Sequence, residues 1–346
     1  MTLEVIPAAE RRAHGDHRAI AEVLDRFSLM PVAPPEPVPG SSVNHNYHAV
    51  THAGPRFVRI HRANKSRTEL EAELQLLAWC QQAGLPVIQP LAGPGGRIIF
   101  SASGQLVTVW PWLDAPPFGR ARASTTAGAA ALGALQGSLD ATLSGYDGAE
   151  LPHTRQSWST EDAVARLSRV DDLIRYYPAP GDEQLRLQAQ LRAQLALLEG
   201  GAADAPESFA GLPTGPAHGD FHDRNVLVDA HGQVAAVVDW DAVCIQPVLY
   251  ELCRVLALVC DVEPALVDAY VGAYAARRPI DPHIVAASIE HFWQVTLHST
   301  WLYDQRFIEG DRRVEVFFES RARTVTWFAE ATNRAWLAAR IIAAAS

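Results

Sequence analysis

HGDFHDRNVLVDAHGQVAAVVDWD, residues 218–241, decides how the chain is read. Two strand-like runs, Asn225-Val-Leu-Val-Asp229 and Gln233-Val-Ala-Ala-Val-Val238, flank the turn Ala230-His231-Gly232. β-Branched residues on both sides of a Gly-containing turn predict a hairpin. Folding it carries Asp220, His222 and Asn225, which precede the first strand, toward Asp239 and Asp241, which follow the second. Two carboxylates and an amide converging at the open end of a hairpin offer hard oxygen donors to a cation.

Phosphoryl transfer needs such a set. An Asp orients the acceptor hydroxyl and takes its proton, while oxygen ligands hold Mg²⁺ on the β- and γ-phosphates of ATP. A kinase catalytic loop supplies the Asp, then an Asn five residues on, and a second Asp follows the hairpin. Asp220, Asn225 and Asp239 reproduce that order and spacing. A surface hairpin with polar ends explains any one of them, but not three of matching type and position.

HGDFHDRN followed by VVDWD resembles the aminoglycoside phosphotransferase and choline kinase-like family. That family also contains one type of homoserine kinase and a bacterial stress-response protein kinase. Gly219 after His218 is the group's mark, since ordinary protein kinases carry there the Arg that holds a phosphorylated activation loop. The resemblance implies an α+β, bilobal protein kinase-like fold, with a small antiparallel-sheet N-lobe and a larger, mainly helical C-lobe. It implies Asp220 as catalytic base, Asn225 and Asp239 as metal ligands, and ATP with Mg²⁺ as cofactors. His222 stands where protein kinases place a Lys that steadies the γ-phosphate, and is expected at the reacting phosphate or the base. His218 is expected to structure the loop.

Outward toward the N-terminus, residues 38–113 read as the N-lobe. Strand-like runs at 43–50 and 55–60 follow the turn Gly40-Ser41-Ser42, whose N–H and hydroxyl donors suit nucleotide phosphates; the resemblance places the phosphate-covering loop there. Pattern alignment puts Arg59 where such strands present a Lys to the phosphates. Arg67 to Ala83 reads as a helix with an apolar stripe at Leu70, Leu74 and Leu77, stopped by Gly84 and Pro86. Glu73 lies on or beside that stripe, where a carboxylate needs a partner; the kinase-like fold assigns it Arg59. Runs at 85–91, 97–100 and 105–110 are expected to complete the sheet. Trp110-Pro111-Trp112-Leu113 falls at the hinge between lobes, with Trp110 and Trp112 beside the purine or in packing. Residues 1–37 read as a helix and a Pro-rich linker. His14-Gly15-Asp16 repeats the HGD letters, but Ala21 stands five residues on and no hairpin follows, so it reads as chance.

Residues 114–346 read as the C-lobe: helices at 121–143, 159–175 and 183–199, a loop at 200–216, then helices from Pro247 onward. Leu132-Gly-Ala-Leu-Gln136 carries Gln where the family often has His. Glu251 is expected to brace the catalytic loop or to favour a helix N-terminus. The helix at 282–303 carries His291, Trp293, His298, Trp301 and Asp304. Trp293, Leu297 and Trp301 recur at a spacing that more often means core than pocket; the other reading is an aromatic and acidic face that meets a cationic acceptor.

Across 346 residues the formal net charge is −10, which disfavours nucleic acid as a partner. No apolar run reaches the length of a membrane span. Four cysteines without a paired motif read as buried thiols in a reducing cytoplasm. The expected function is transfer of the γ-phosphate to a hydroxyl of a small molecule such as homoserine, an aminoglycoside or a sugar. A protein Ser/Thr kinase of the stress-response type and a non-catalytic nucleotide-binding regulator are the alternatives.

Overall fold

The structure is a computed structural model describing residues 8–38, 44–154, 158–176, 181–204 and 206–346. In chain order it begins with α1 (Ala8–Arg26), β1 (Glu36–Pro37), β2 (His45–Thr51), β3 (Gly54–Ile60) and α2 (Arg67–Gln82). There follow β4 (Phe100–Ala102), β5 (Gln105–Pro111), α3 (Arg120–Ala123), α4 (Thr126–Leu143), α5 (Thr160–Arg175) and α6 (Asp182–Glu199). The catalytic stretch is framed by β6 (Thr214–Ala217), β7 (Val226–Val228), β8 (Val234–Val237) and β9 (Cys244–Pro247). Last come α7 (Tyr250–Leu258), α8 (Pro264–Ala275), α9 (Pro282–His298), α10 (Trp301–Tyr303), α11 (Phe318–Ala329) and α12 (Ala331–Ala345). Contacts divide the chain into two units: residues 1–116 with 227–241, and residues 117–226 with 242–346.

The first unit is built on a five-stranded antiparallel sheet of order β1-β2-β3-β5-β4. Alternation along β2 turns Tyr47, Ala49 and Thr51 inward, as a half-buried strand requires. Helix α1 covers that face with Ala19, Ile20, Val23 and Leu24, which pack in one cluster with Tyr47, Val58, Ile60, Phe100 and Val109. Burial is worth about 1.5–3 kcal/mol for each of the larger aliphatic side chains. Asp16, in the HGD read as chance, is buried and fastens α1 to β2: it accepts from the Tyr47 hydroxyl at 2.8 Å and meets His45 Nδ1 at 2.6 Å.

Helix α2 starts where Ser66 and Glu69 cap each other reciprocally, the Ser66 hydroxyl accepting from Glu69 N–H at 3.1 Å. The sheet differs from expectation at one edge. Residues 85–91 supply only a bridge, Val87 to Val237, rather than a strand, because Pro86 and Pro90 lack ladder donors. Pro86 instead offers its carbonyl to Val237 N–H. The added strand is β1, from the Pro-rich segment, paired Glu36 to His48 and Pro37 to Tyr47 at the sheet's margin, where proline is tolerated. The sequence also assigned α1 to a separate segment and all of 218–241 to the larger lobe. Core packing puts α1 with the sheet, and the Pro86–Val237 bond puts the later half of the hairpin there too.

The second unit is mainly helical. Helices α4 and α8 approach so closely that a Cβ at Gly133 would sit 2.2 Å from the Tyr270 carbonyl, and one at Gly137 2.6 Å from that of Tyr274. Gln136 and Asp140 on the same helix accept the hydroxyls of Tyr270 and Tyr274 at 2.6 and 2.8 Å. The Gln that replaces the family's His is thus a buried interhelical partner. Within the expected loop 200–216, Thr214–Ala217 forms β6 and pairs antiparallel with β9. The terminal helix is two, α11 and α12, broken at the extended Glu330. The four cysteines are buried and unbonded. Among the described residues no helix is long and apolar enough to cross a membrane.

Candidate active site

In the second unit the catalytic stretch leaves β6 at Ala217 and turns at once. Gly219 makes the turn with φ +83°, and a Cβ there would lie 2.0 Å from the Ala242 carbonyl oxygen. Only glycine meets both demands. Gly219→Ala is therefore expected to cost at least about 1–3 kcal/mol from backbone strain and to displace Asp220. Transfer rate and melting temperature should fall together; a variant with wild-type values of both would contradict this geometry.

Asp220, which the turn presents, has its Oδ1 held by the Arg254 guanidinium. Its Oδ2 lies 3.5 Å from His222 Nε2, and its backbone N–H donates to His218 Nδ1 at 3.2 Å. Asn225 Nδ2 donates to the Asp220 carbonyl at 2.9 Å, which leaves the Asn225 amide oxygen for another partner. Burial opposes ionisation of Asp220, but Arg254 and then His222 outweigh it and hold the carboxyl well below the usual carboxylate range. Asp220, His222 and Asn225 are brought together as expected.

Glu251, in the first turn of α7, braces this loop: its Oε1 accepts the Phe221 N–H at 2.8 Å. Burial, with Asp140 adding to it, pushes the Glu251 carboxyl up to about 8. A carboxyl raised in the folded state gives stability that is full below its unfolded pKa and lost as pH rises through the folded one. Stability should therefore decline between pH values of about 4.5 and 8. Glu251→Gln keeps the acceptor for Phe221 and should flatten that decline in urea unfolding followed across pH. An unchanged slope would rule the assignment out. Arg254 was missed in the sequence, although it stands three residues after Glu251 on the same helix face.

In the first unit Asp239 adopts a left-handed backbone, φ +66°, just past β8. Its Oδ1 accepts from Arg59 Nη2 at 3.0 Å, while Arg59 Nε donates to Asn46 Oδ1 at 3.1 Å. The expected Arg59–Glu73 pair does not form. Arg59 faces Asn46 across the β2–β3 ladder, and its guanidinium is taken up by Asn46 and Asp239. The cation on Glu73 is Lys65, whose Nζ lies 2.8 Å from Glu73 Oε2 and 3.1 Å from Asp241 Oδ1. Lys65 precedes the Ser66 cap, so its flexible stem reaches along α2. Burial pushes the Glu73 carboxyl up even against Lys65, whereas Asp241 resists burial and is held low by Lys65 and Arg62. A signal existed: Lys65 is the single lysine beside 28 arginines.

Trp110 and Trp112 are half-buried at the end of β5. Trp110 Nε1 donates to Thr108 Oγ1 at 2.8 Å, and the Trp112 ring lies 4.1 Å from that of His48. Ser41 and Ser42 lie outside the described residues. On the helix after residue 282, His291, Trp293 and His298 are buried, as their core spacing suggests, whereas Trp301 beyond its end is 45% exposed and Asp304 is engaged by Thr300 and Arg166.

Among the described residues no group of three or more His, Cys, Asp and Glu side chains is placed to hold a metal. Mg²⁺ needs no such group, since it takes one or two protein oxygens and completes its shell with phosphates and water. The amide oxygen of Asn225 and the second oxygen of Asp239 are hard donors of that type.

Residues 35–283 match the phosphotransferase enzyme family. The chain belongs to that family. Homoserine kinase of Caulobacter vibrioides (strain NA1000 / CB15N) is 24% identical over 245 residues, spanning 69% of this chain and 71% of that protein. Among solved structures, spectinomycin phosphotransferase APH(9)-Ia with ADP and spectinomycin matches with a TM-score of 0.65 at 14% identity, covering 98% of this chain and 99% of that one. Amicoumacin kinase hAmiN with AMP-PNP, Ca²⁺ and amicoumacin matches at a TM-score of 0.61 and 15% identity, over 92% and 95% of the two chains. The fold of this phosphotransferase is theirs: an antiparallel N-terminal sheet followed by a mainly helical part.

Proposed function

We propose that this phosphotransferase moves the γ-phosphate of Mg²⁺-ATP to a hydroxyl of a small molecule in the cytoplasm. The observation that carries this reading is the loop 218–225. Gly219 and Glu251 fix its backbone, while Arg254 and Asn225 aim one ionised carboxylate. The acceptor oxygen attacks the γ-phosphorus, the bond from that phosphorus to the ADP oxygen breaks, and the hydroxyl proton passes to Asp220. A carboxylate with so low a pKa is a weak base, so Asp220 acts chiefly by orienting the hydroxyl and takes the proton late, which suits a loose phosphoryl transition state.

Asn225 and Asp239 would hold Mg²⁺, which when bound would supply charge neutralisation at the nucleotide phosphates. His222 lies at the base and steadies the transferring phosphate. In the N-lobe, 38–113, Ser41 and Ser42 cover the phosphates, Arg59 meets them, Glu73 braces the site through Lys65, and Trp110 and Trp112 flank the purine. The mainly helical unit holds the acceptor. Support comes from the family match and from the match of the catalytic spacing to kinase loops.

The test is incubation with γ-labelled ATP and Mg²⁺, separately with hydroxyl-bearing metabolites and with a generic protein acceptor. Label is expected in a small molecule. Label in the protein acceptor alone would favour the protein kinase alternative, and none in either would leave a nucleotide-binding regulator.

A further inference from the structure

Helices α7, α9 and α11 line a half-open cavity of about 80 Å³ in the second unit. Tyr250 and Arg254 reach it from α7, Phe292 and Thr296 from α9, Arg321 and Thr324 from α11. Arg254 is the same residue that grips the Asp220 carboxylate, so one side chain links the cavity to the proposed base. That shared residue fixes where an acceptor's hydroxyl would have to point.

The charges around it do not balance. Arg254 is answered by Asp220. Glu251, one turn away, has its carboxyl raised to about 8 by burial, which disfavours its charged form. Arg321 has no carboxylate paired with it among the described residues. Its Nη2 donates to the Thr296 and Ser299 carbonyls, which anchors the guanidinium without neutralising it. Burial lowers its pKa to about 10, with only the Tyr303 and Tyr250 phenols opposing, so it stays charged. A desolvated guanidinium with two carbonyls and no counter-ion is costly to maintain. Planar, multi-donor guanidinium is also the group best matched to a carboxylate.

The geometry points to an acceptor that carries a carboxylate: a short hydroxy acid whose carboxylate docks on Arg321 and whose hydroxyl reaches Asp220. This rests on the phosphotransfer reading and narrows it. The cavity has room for a carboxylate and its neighbouring carbon. An uncompensated cation also repels an amine.

The test compares 4-hydroxybutanoate, its neutral isostere 4-hydroxybutanamide and the amine 3-aminopropan-1-ol. Each is titrated calorimetrically into the full chain and then offered as a phosphate acceptor with Mg²⁺-ATP. The acid should bind at least about 30-fold more tightly than the amide, the size expected for a buried charge pair. Arg321→Met should abolish that preference, and Arg321→Lys should retain part of it. The acid–amide comparison in the unaltered protein needs no variant, which guards against Arg321→Met misfolding. Equal binding of acid and amide, tighter binding of the amine, or no binding of the acid would each overturn the inference. Arg321-dependent binding of the acid without phosphate transfer would uphold the subsite and count against the phosphotransfer reading. Transfer to the amine alone would do the reverse.

Discussion

Asp220→Asn should lower the single-turnover rate of phosphate transfer by about 10²–10⁴-fold and leave nucleotide affinity nearly unchanged. The substitution is almost isosteric. Asn keeps an oxygen for the Arg254 guanidinium, and the Asn225 amide still donates to the backbone carbonyl of residue 220. What disappears is the charge that orients the acceptor hydroxyl and the oxygen that takes its proton. Rapid quench at saturating ATP, beside equilibrium binding of a non-hydrolysable analogue, separates the two effects. Undiminished transfer with intact binding would end the role assigned to Asp220.

The second large effect concerns stability. Lys65→Met should destabilise the protein by about 3–5 kcal/mol, because it leaves a buried carboxylate without its cation. The Lys65 and Glu73 side chains are 3% and 1% exposed, so water cannot take the missing charge's place. That is a large part of the 5–15 kcal/mol typical of a folded domain. Removing the second charge as well, in Lys65→Met with Glu73→Gln, should recover part of the loss, since the two sites share one interaction. Urea unfolding of the single and double variants measures both. A single-variant loss below about 1 kcal/mol would show that the pair behaves like an exposed one.

The hairpin was legible because its signals are local: alternation, a glycine turn, and polar residues at fixed offsets. Helix α2 was legible for the same reason, through its stripe and its Gly84 stop. The partner of Glu73 was not. Choosing Lys65 over Arg59 depends on where the Arg59 guanidinium goes, and Asn46 reaches it only through strand register. Arg321 was hidden more deeply. Its significance lies in having no carboxylate paired with it among the described residues, a property of three packed helices rather than of any sequence window. The early Asp16 was dismissed on spacing, correctly for catalysis. Its tie to Tyr47 is a tertiary contact between residues about thirty positions apart, which no local pattern announces.

Helix α1 has a practical corollary. The family match begins at residue 35, yet the sheet's inner face is closed by Ala19, Ile20, Val23 and Leu24. A protein trimmed to the recognisable span would present Tyr47, Val58, Ile60 and Val109 to water as one greasy surface, prone to self-association. Resemblance and self-sufficiency have different boundaries in this chain, and the folding unit is the longer one.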